Sequence, residues 1–115
     1  MARNTKREPS RRSVRAAAVG AASALVAGEM GVVEAARKIR RLGFDAETEK
    51  DEDVLFFVGI DSETDHFPVG KVRDNWSAAA LTREDNLREE FERDARAEAI
   101  EHAHNLIRKY WTNAV

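Results

Sequence analysis

No cysteine occurs in this sequence, which excludes disulfides, thiolate metal sites and a thiol nucleophile together. Proline is nearly as scarce, present only as Pro9 and Pro68, so most of the chain is free to run as helix. No apolar stretch approaches the roughly 20 residues that a membrane-spanning helix needs. Phosphate-binding loops and dinucleotide fingerprints are also missing, which removes the commonest cofactor-dependent enzymes. What remains is a chain of 115 residues, 35% charged and 43% hydrophobic, the balance of one folded domain around one core.

Charge is unevenly placed. Met1 to Arg15 carries Arg3, Lys6, Arg7, Arg11, Arg12 and Arg15 against Glu8 alone, a surplus of five that leaves the rest at −7 within an overall −2. Residues 1–12 read as a disordered basic tail ahead of a single helical domain over 13–115. An acidic body disfavours nucleic acid as the main partner, and the tail supplies at most weak, salt-sensitive phosphate attraction. Deleting residues 1–12 is expected to abolish such binding and leave folding unchanged. Ser10-Arg11-Arg12-Ser13-Val14 is similar to a twin-arginine export signal, with Ala22-Ser23-Ala24 as its cleavage site. Against export, the apolar segment runs straight into another amphipathic helix, so the cytoplasm is the preferred compartment.

Helical spacing dominates. Val14, Ala18, Ala21, Ala22, Leu25 and Val26 stripe Ser13–Ala27, which Gly28 ends. Val32, Val33, Ala36, Ile39 and Leu42 stripe Val32–Leu42 opposite Glu34, Arg37, Lys38, Arg40 and Arg41. Gly43 followed by Phe44 predicts a left-handed cap with Phe44 folded back on Ile39. Asp45 to Asp53 is an acidic loop whose carboxylates suit the start of a further helix. Val54 to Ile60 has strand-like composition, but its one candidate partner, His66–Val72, carries Pro68 and Gly70 and would make a marginal ribbon. A short buried helix over Asp53–Ile60 is preferred, and an α+β ribbon pairing Val54–Val58 with Phe67–Val72 is the alternative. Val72–Ala80 reads as a short fourth helix, and Thr82-x-x-Asp85 as a capping box. Arg83–Trp111 then forms a long C-terminal helix, striped by Leu87, Phe91, Ala95, Ala99, Ala103, Leu106, Ile107 and Tyr110. Glu84 with Arg88, Glu89 with Arg93, and Glu92 with Arg96 fit i,i+4 ion pairs on that helix. The expected fold is an all-α bundle of about five helices.

Where the densest apolar run ends, Asp61, Ser62, Glu63, Thr64, Asp65 and His66 follow in succession. Pro68 disfavours helix at Phe67, so Asp61 to Gly70 reads as a loop in which short polar side chains satisfy backbone N–H groups. Phe67 and Pro68 would pin it to the core through Trp76. A turn this rigid also presents side chains, and the candidate binding surface is Asp61 to His66 with Arg73 and Trp76 beside it. Glu63 with His66 and Glu101 with His104 repeat the Glu-x-x-His spacing of carboxylate-bridged di-iron bundles. A full site needs two further glutamates facing the same interior from long helices, yet Glu63 and His66 precede Pro68, and Glu101 and His104 flank rather than share the apolar stripe. His102 and His104, two apart on a helix, diverge and read as solvated. A Ser–His–carboxylate set within Asp61 to His66 lacks an oxyanion hole and a nucleophile elbow. No catalytic residue, metal or cofactor is assigned.

Gly28-Glu29-Met30-Gly31-Val32-Val33-Glu34-Ala35-Ala36-Arg37, Phe57 to Gly70 with its Ser62-Glu63-Thr64-Asp65-His66 core, Arg73 and Trp76 together resemble a family of small bacterial proteins with no assigned activity. The resemblance spans roughly Ala16 to Tyr110 and departs in the basic tail and at Ala103, where relatives are expected to carry cysteine. It implies a cytoplasmic bacterial domain and no mechanism. Small size and an acidic body favour a non-enzymatic module that binds another protein, immunity- or antitoxin-like. The alternative is a small metal-dependent enzyme built on the Glu-x-x-His pairs.

Overall fold

The computed structural model describes residues 10–114, so Arg3, Lys6, Arg7 and most of the proposed tail lie outside the described residues. Four α-helices, α1 (Arg11–Val26), α2 (Val32–Ile39), α3 (Glu52–Thr64) and α4 (Ala78–Ala114), are joined by turns and two 3-10 segments, Arg40–Phe44 and Gly70–Asn75. This is the expected small all-α bundle with a long C-terminal helix. Among the described residues no helix is long and apolar enough to cross a membrane.

Small side chains bring α1 and α4 together. Ala18, Ala21, Ala22 and Leu25 of α1 share one buried core with Ala99, Ala103 and Leu106 of α4. Helices facing each other through alanine approach closely enough for side chains of one to reach the backbone ends of its neighbours. α1 stops at Gly28, whose φ of 79° is left-handed, with Glu29 N–H donating to Ala24 O (2.8 Å) and Gly28 N–H to Leu25 O (3.1 Å) in a Schellman closure. Arg96 of α4 reaches back to Leu25 O at 3.4 Å. One turn earlier, Glu92 accepts the Val33 N–H at 2.9 Å and so caps α2 across the interface. Gly31 makes room for it, because a Cβ there would lie 2.8 Å from Glu92 Oε2.

These contacts correct the i,i+4 reading of α4: Glu92 and Arg96 serve two neighbouring helix ends, and Arg88 instead lies 3.7 Å from Asp85. Three further corrections follow from local chemistry. Val72–Ala80 is not a separate helix, because Ser77 Oγ accepts the Ala80 N–H at 3.1 Å and starts α4 there. Thr82 therefore sits inside α4, its hydroxyl donating to Ala78 O, and caps nothing. Gly43 is not left-handed, and Phe44 stays 79% exposed with the Arg40 guanidinium 6.0 Å from its ring centre.

Val54 to Ile60 is helical, so the ribbon alternative is set aside. Asp51 accepts from the Asp53 and Val54 N–H groups at 2.8 and 3.3 Å, and Val54, Phe57 and Ile60 bury one face of α3 in the core. At the other end of the chain, Ser10 caps α1, and Arg11 and Arg15 pair with Glu47 at 3.0 and 2.8 Å. Arg11 and Arg12 thus belong to α1, and truncation without loss of its cap must stop before Ser10. Glu92→Ala is expected to lower stability by about 1–2 kcal/mol in urea unfolding. Gly31→Ala should cost a comparable amount through the same carboxylate, and the double variant less than the sum.

Candidate functional site

α3 carries the polar stretch one turn further into helix than a loop reading allows. Asp61, Ser62, Glu63 and Thr64 form its last turn, and Asp65 and His66 the turn that follows. Pro68 acts too late to prevent this, because the residue it restricts is Phe67. Thr64 is buried and its hydroxyl donates to Ile60 O at 2.7 Å, a bond internal to the helix. Asp61 faces the end of α2 and the 3-10 segment after it, 3.7 Å from Arg37 Nε and 3.2 Å from Arg40 Nε. Ser62, Glu63, Asp65 and His66 are exposed.

Arg37, read from the sequence as part of a solvated face, closes the helix end. Its Nη2 donates to Thr64 O at 2.6 Å, which also accepts the Phe67 N–H at 3.1 Å, and to Phe67 O at 3.0 Å just beyond the helix. Arg73 does the same one step on, donating to Pro68 O at 3.2 Å and gripping Asp85 through both terminal nitrogens at 2.8 and 2.7 Å. Their mutual hydrogen bonds raise the guanidinium pKa and lower that of the carboxyl. Phe67 and Pro68, buried as expected, lie between the two arginines.

The result is an open cleft of about 230 Å3 lined by Arg37, Asp65, His66, Phe67, Pro68, Val69, Val72 and Trp76. Val72 is 49% exposed and Trp76 half-buried. His66 packs on Phe67 with ring centres 4.2 Å apart. Of the expected surface, Asp65, His66 and Trp76 line this cleft and Arg73 supports its wall. Asp61 and Thr64 are structural, while Ser62 and Glu63 are not among the lining residues. The two Glu-x-x-His pairs are not drawn into a centre, and among the described residues no three His, Asp or Glu side chains converge to hold a metal.

A second polar cluster escaped the sequence reading. Asp53, almost fully buried, meets His102 Nδ1 at 2.7 Å, Asn105 Nδ2 at 3.0 Å and Lys109 Nζ at 2.5 Å. Asp51 receives Lys109 Nζ and the Tyr110 hydroxyl, both at 2.7 Å. His102 is therefore not simply solvated; it also stacks on Phe56, with centres 4.1 Å apart and planes 18° apart. The legible signal was the i, i+3, i+7 placement of His102, Asn105 and Lys109 on one face of α4.

Burial pushes both carboxyls up, but Lys109 with Tyr110 and backbone N–H groups at Asp51, and with Asn105 and His102 at Asp53, holds them below the ordinary value of 3.8. Burial followed by the bond to Asp51 pushes the Tyr110 hydroxyl up to about 12. Comparison with known protein families, with curated proteins and with solved structures finds no match for this chain.

Because the Asp51 and Asp53 values are depressed on folding, their contribution is complete above the unfolded-state value and fades as pH falls through the folded one. Tyr110 acts in the opposite sense, contributing fully below about pH 10 and fading as pH rises toward 12. Melting temperature against pH should show both losses, and Lys109→Met should cost about 1–3 kcal/mol at neutral pH by stranding two carboxylates. Asp61→Ala should cost about 1 kcal/mol in denaturant titration, against less than about 0.5 for Ser62→Ala.

Proposed function

We propose that this chain is a non-enzymatic binding module of the bacterial cytoplasm whose ligand is another protein, in the manner of immunity or antitoxin proteins. The observation that carries this is the size and make-up of the cleft. At about 230 Å3 it falls below the roughly 300–1,000 Å3 of small-molecule sites. It suits one or two side chains of a partner, set against the half-exposed Trp76, and tryptophan in such a position is a frequent anchor of protein interfaces. Small size and the acidic body support the same reading, and the Ser62-Glu63-Thr64-Asp65-His66 resemblance supports only its bacterial, cytoplasmic setting.

A photo-crosslinking residue at position 72 tests it in the native host. One discrete protein adduct is expected, strongly reduced when Trp76→Ala is added, and no adduct at this position would sink the reading. Glu63→Ala combined with His66→Ala should shift stability by less than about 0.5 kcal/mol while weakening retention of the crosslinked partner. Stoichiometric iron, manganese or zinc in the purified protein would favour a metal-dependent enzyme instead.

A further inference from the structure

The polar groups of the cleft are lopsided, and that imbalance describes the segment it would take. The wall carbonyls of Phe67 and Pro68 are already occupied by Arg37 and Arg73. A ligand N–H pointing at either of these two carbonyls meets an oxygen that already accepts a guanidinium hydrogen bond. Donation is still on offer: the Trp76 indole N–H has no acceptor among the described residues and is not sealed from solvent. The remaining lining is apolar or aromatic, from Val69, Val72, Pro68, Phe67 and the His66 ring. Negative charge stands exposed at the rim, on Asp65 in the lining and on Glu63 two residues before it.

We propose that the cleft takes an extended, proline-containing segment of a partner protein with a basic residue beside the prolines, an inference that rests on the binding-module reading above. A proline run is rich in carbonyl acceptors and poor in N–H donors, and its extended helix is preformed, so little ordering entropy is lost on docking. That composition complements a wall with occupied carbonyls and a free indole N–H. Trp76 and the exposed His66 ring, itself backed by the buried Phe67, supply the aromatic surface against which proline rings pack, and Asp65 with Glu63 selects the basic flank. Strand addition has no edge to use here, since the described residues contain no strand. A helix-in-groove mode needs a longer apolar trough than this cleft offers.

The full-length 15N-labelled protein is titrated with a proline peptide bearing a central arginine, with the same peptide carrying glutamate instead, and with a glycine–serine peptide bearing the arginine. The expected result is a saturable shift of the Trp76 indole signal with the first peptide, binding weaker by about tenfold or more with the second, and none with the third. Trp76→Ala should abolish binding with the remaining amide spectrum unchanged, and Asp65→Lys should invert the preference between arginine and glutamate peptides. Equal binding of the glycine–serine peptide, or an unmoved Trp76 signal at millimolar proline peptide, would overturn the inference. If crosslinking at position 72 still yields a protein adduct, only the proline inference falls. If both fail, the binding-module reading falls with it.

Discussion

The distance between α1 and α4 is the constraint on which the rest of the molecule depends. It is set by alanine, with Ala18, Ala21 and Ala22 on one helix sharing a fully packed core with Ala99 and Ala103 on the other. Close approach lets Glu92 reach the start of α2 and Arg96 the end of α1, so one turn of α4 fixes the angle at which the chain reverses between them. A larger side chain at any of these alanines would push the helices apart and withdraw both caps at once.

From that reversal the site follows mechanically. Held by Glu92, α2 presents Arg37, and the 3-10 segment after it Arg40, to the last turn of α3, where Arg37 takes the carbonyls of Thr64 and Phe67 and both flank Asp61. The chain leaving α3 is then bound at Phe67 and, through Arg73, at Pro68, while Arg73 ties the same segment to Asp85 on α4. A segment fixed at two consecutive carbonyls holds its side chains in one arrangement, and the cleft is the surface they leave uncovered. Its rigidity comes from cationic groups on neighbouring elements rather than from the short polar residues within it.

The opposite face of α3 is held by different chemistry. Asp51 caps the helix with one set of lone pairs and binds Lys109 and Tyr110 with the others, while Asp53 gathers His102, Asn105 and Lys109. Two nearly buried carboxylates so close together are tolerable only because every oxygen is engaged and the ammonium group lies between them. α4 therefore meets the bundle through apolar packing along Ala99, Ala103 and Leu106 and through this charged clasp near its end. Residues 78–98 of the same helix include no buried residue.

Sequence alone was enough for the helical class, the stop at Gly28 and the long last helix, because each depends on spacing or on one residue's backbone preference. It also marked the neighbourhood of Asp61 to Trp76 as the place where polar density meets the core. It misjudged Phe44, the start of α4 and the extent of α3, where two local signals compete within a few residues and tertiary contacts choose between them. Arg37 looked like any solvated cation, since nothing nearby in sequence announces that its partners are Thr64 and Phe67. The clasp around Asp53 was hidden for the same reason: its members are separated by about fifty positions, with 49 between Asp53 and His102. Periodicity is a local property and can be read residue by residue, whereas the choice of which carbonyl or carboxylate a long side chain serves belongs to the packed molecule, where helix spacing decides what lies within reach.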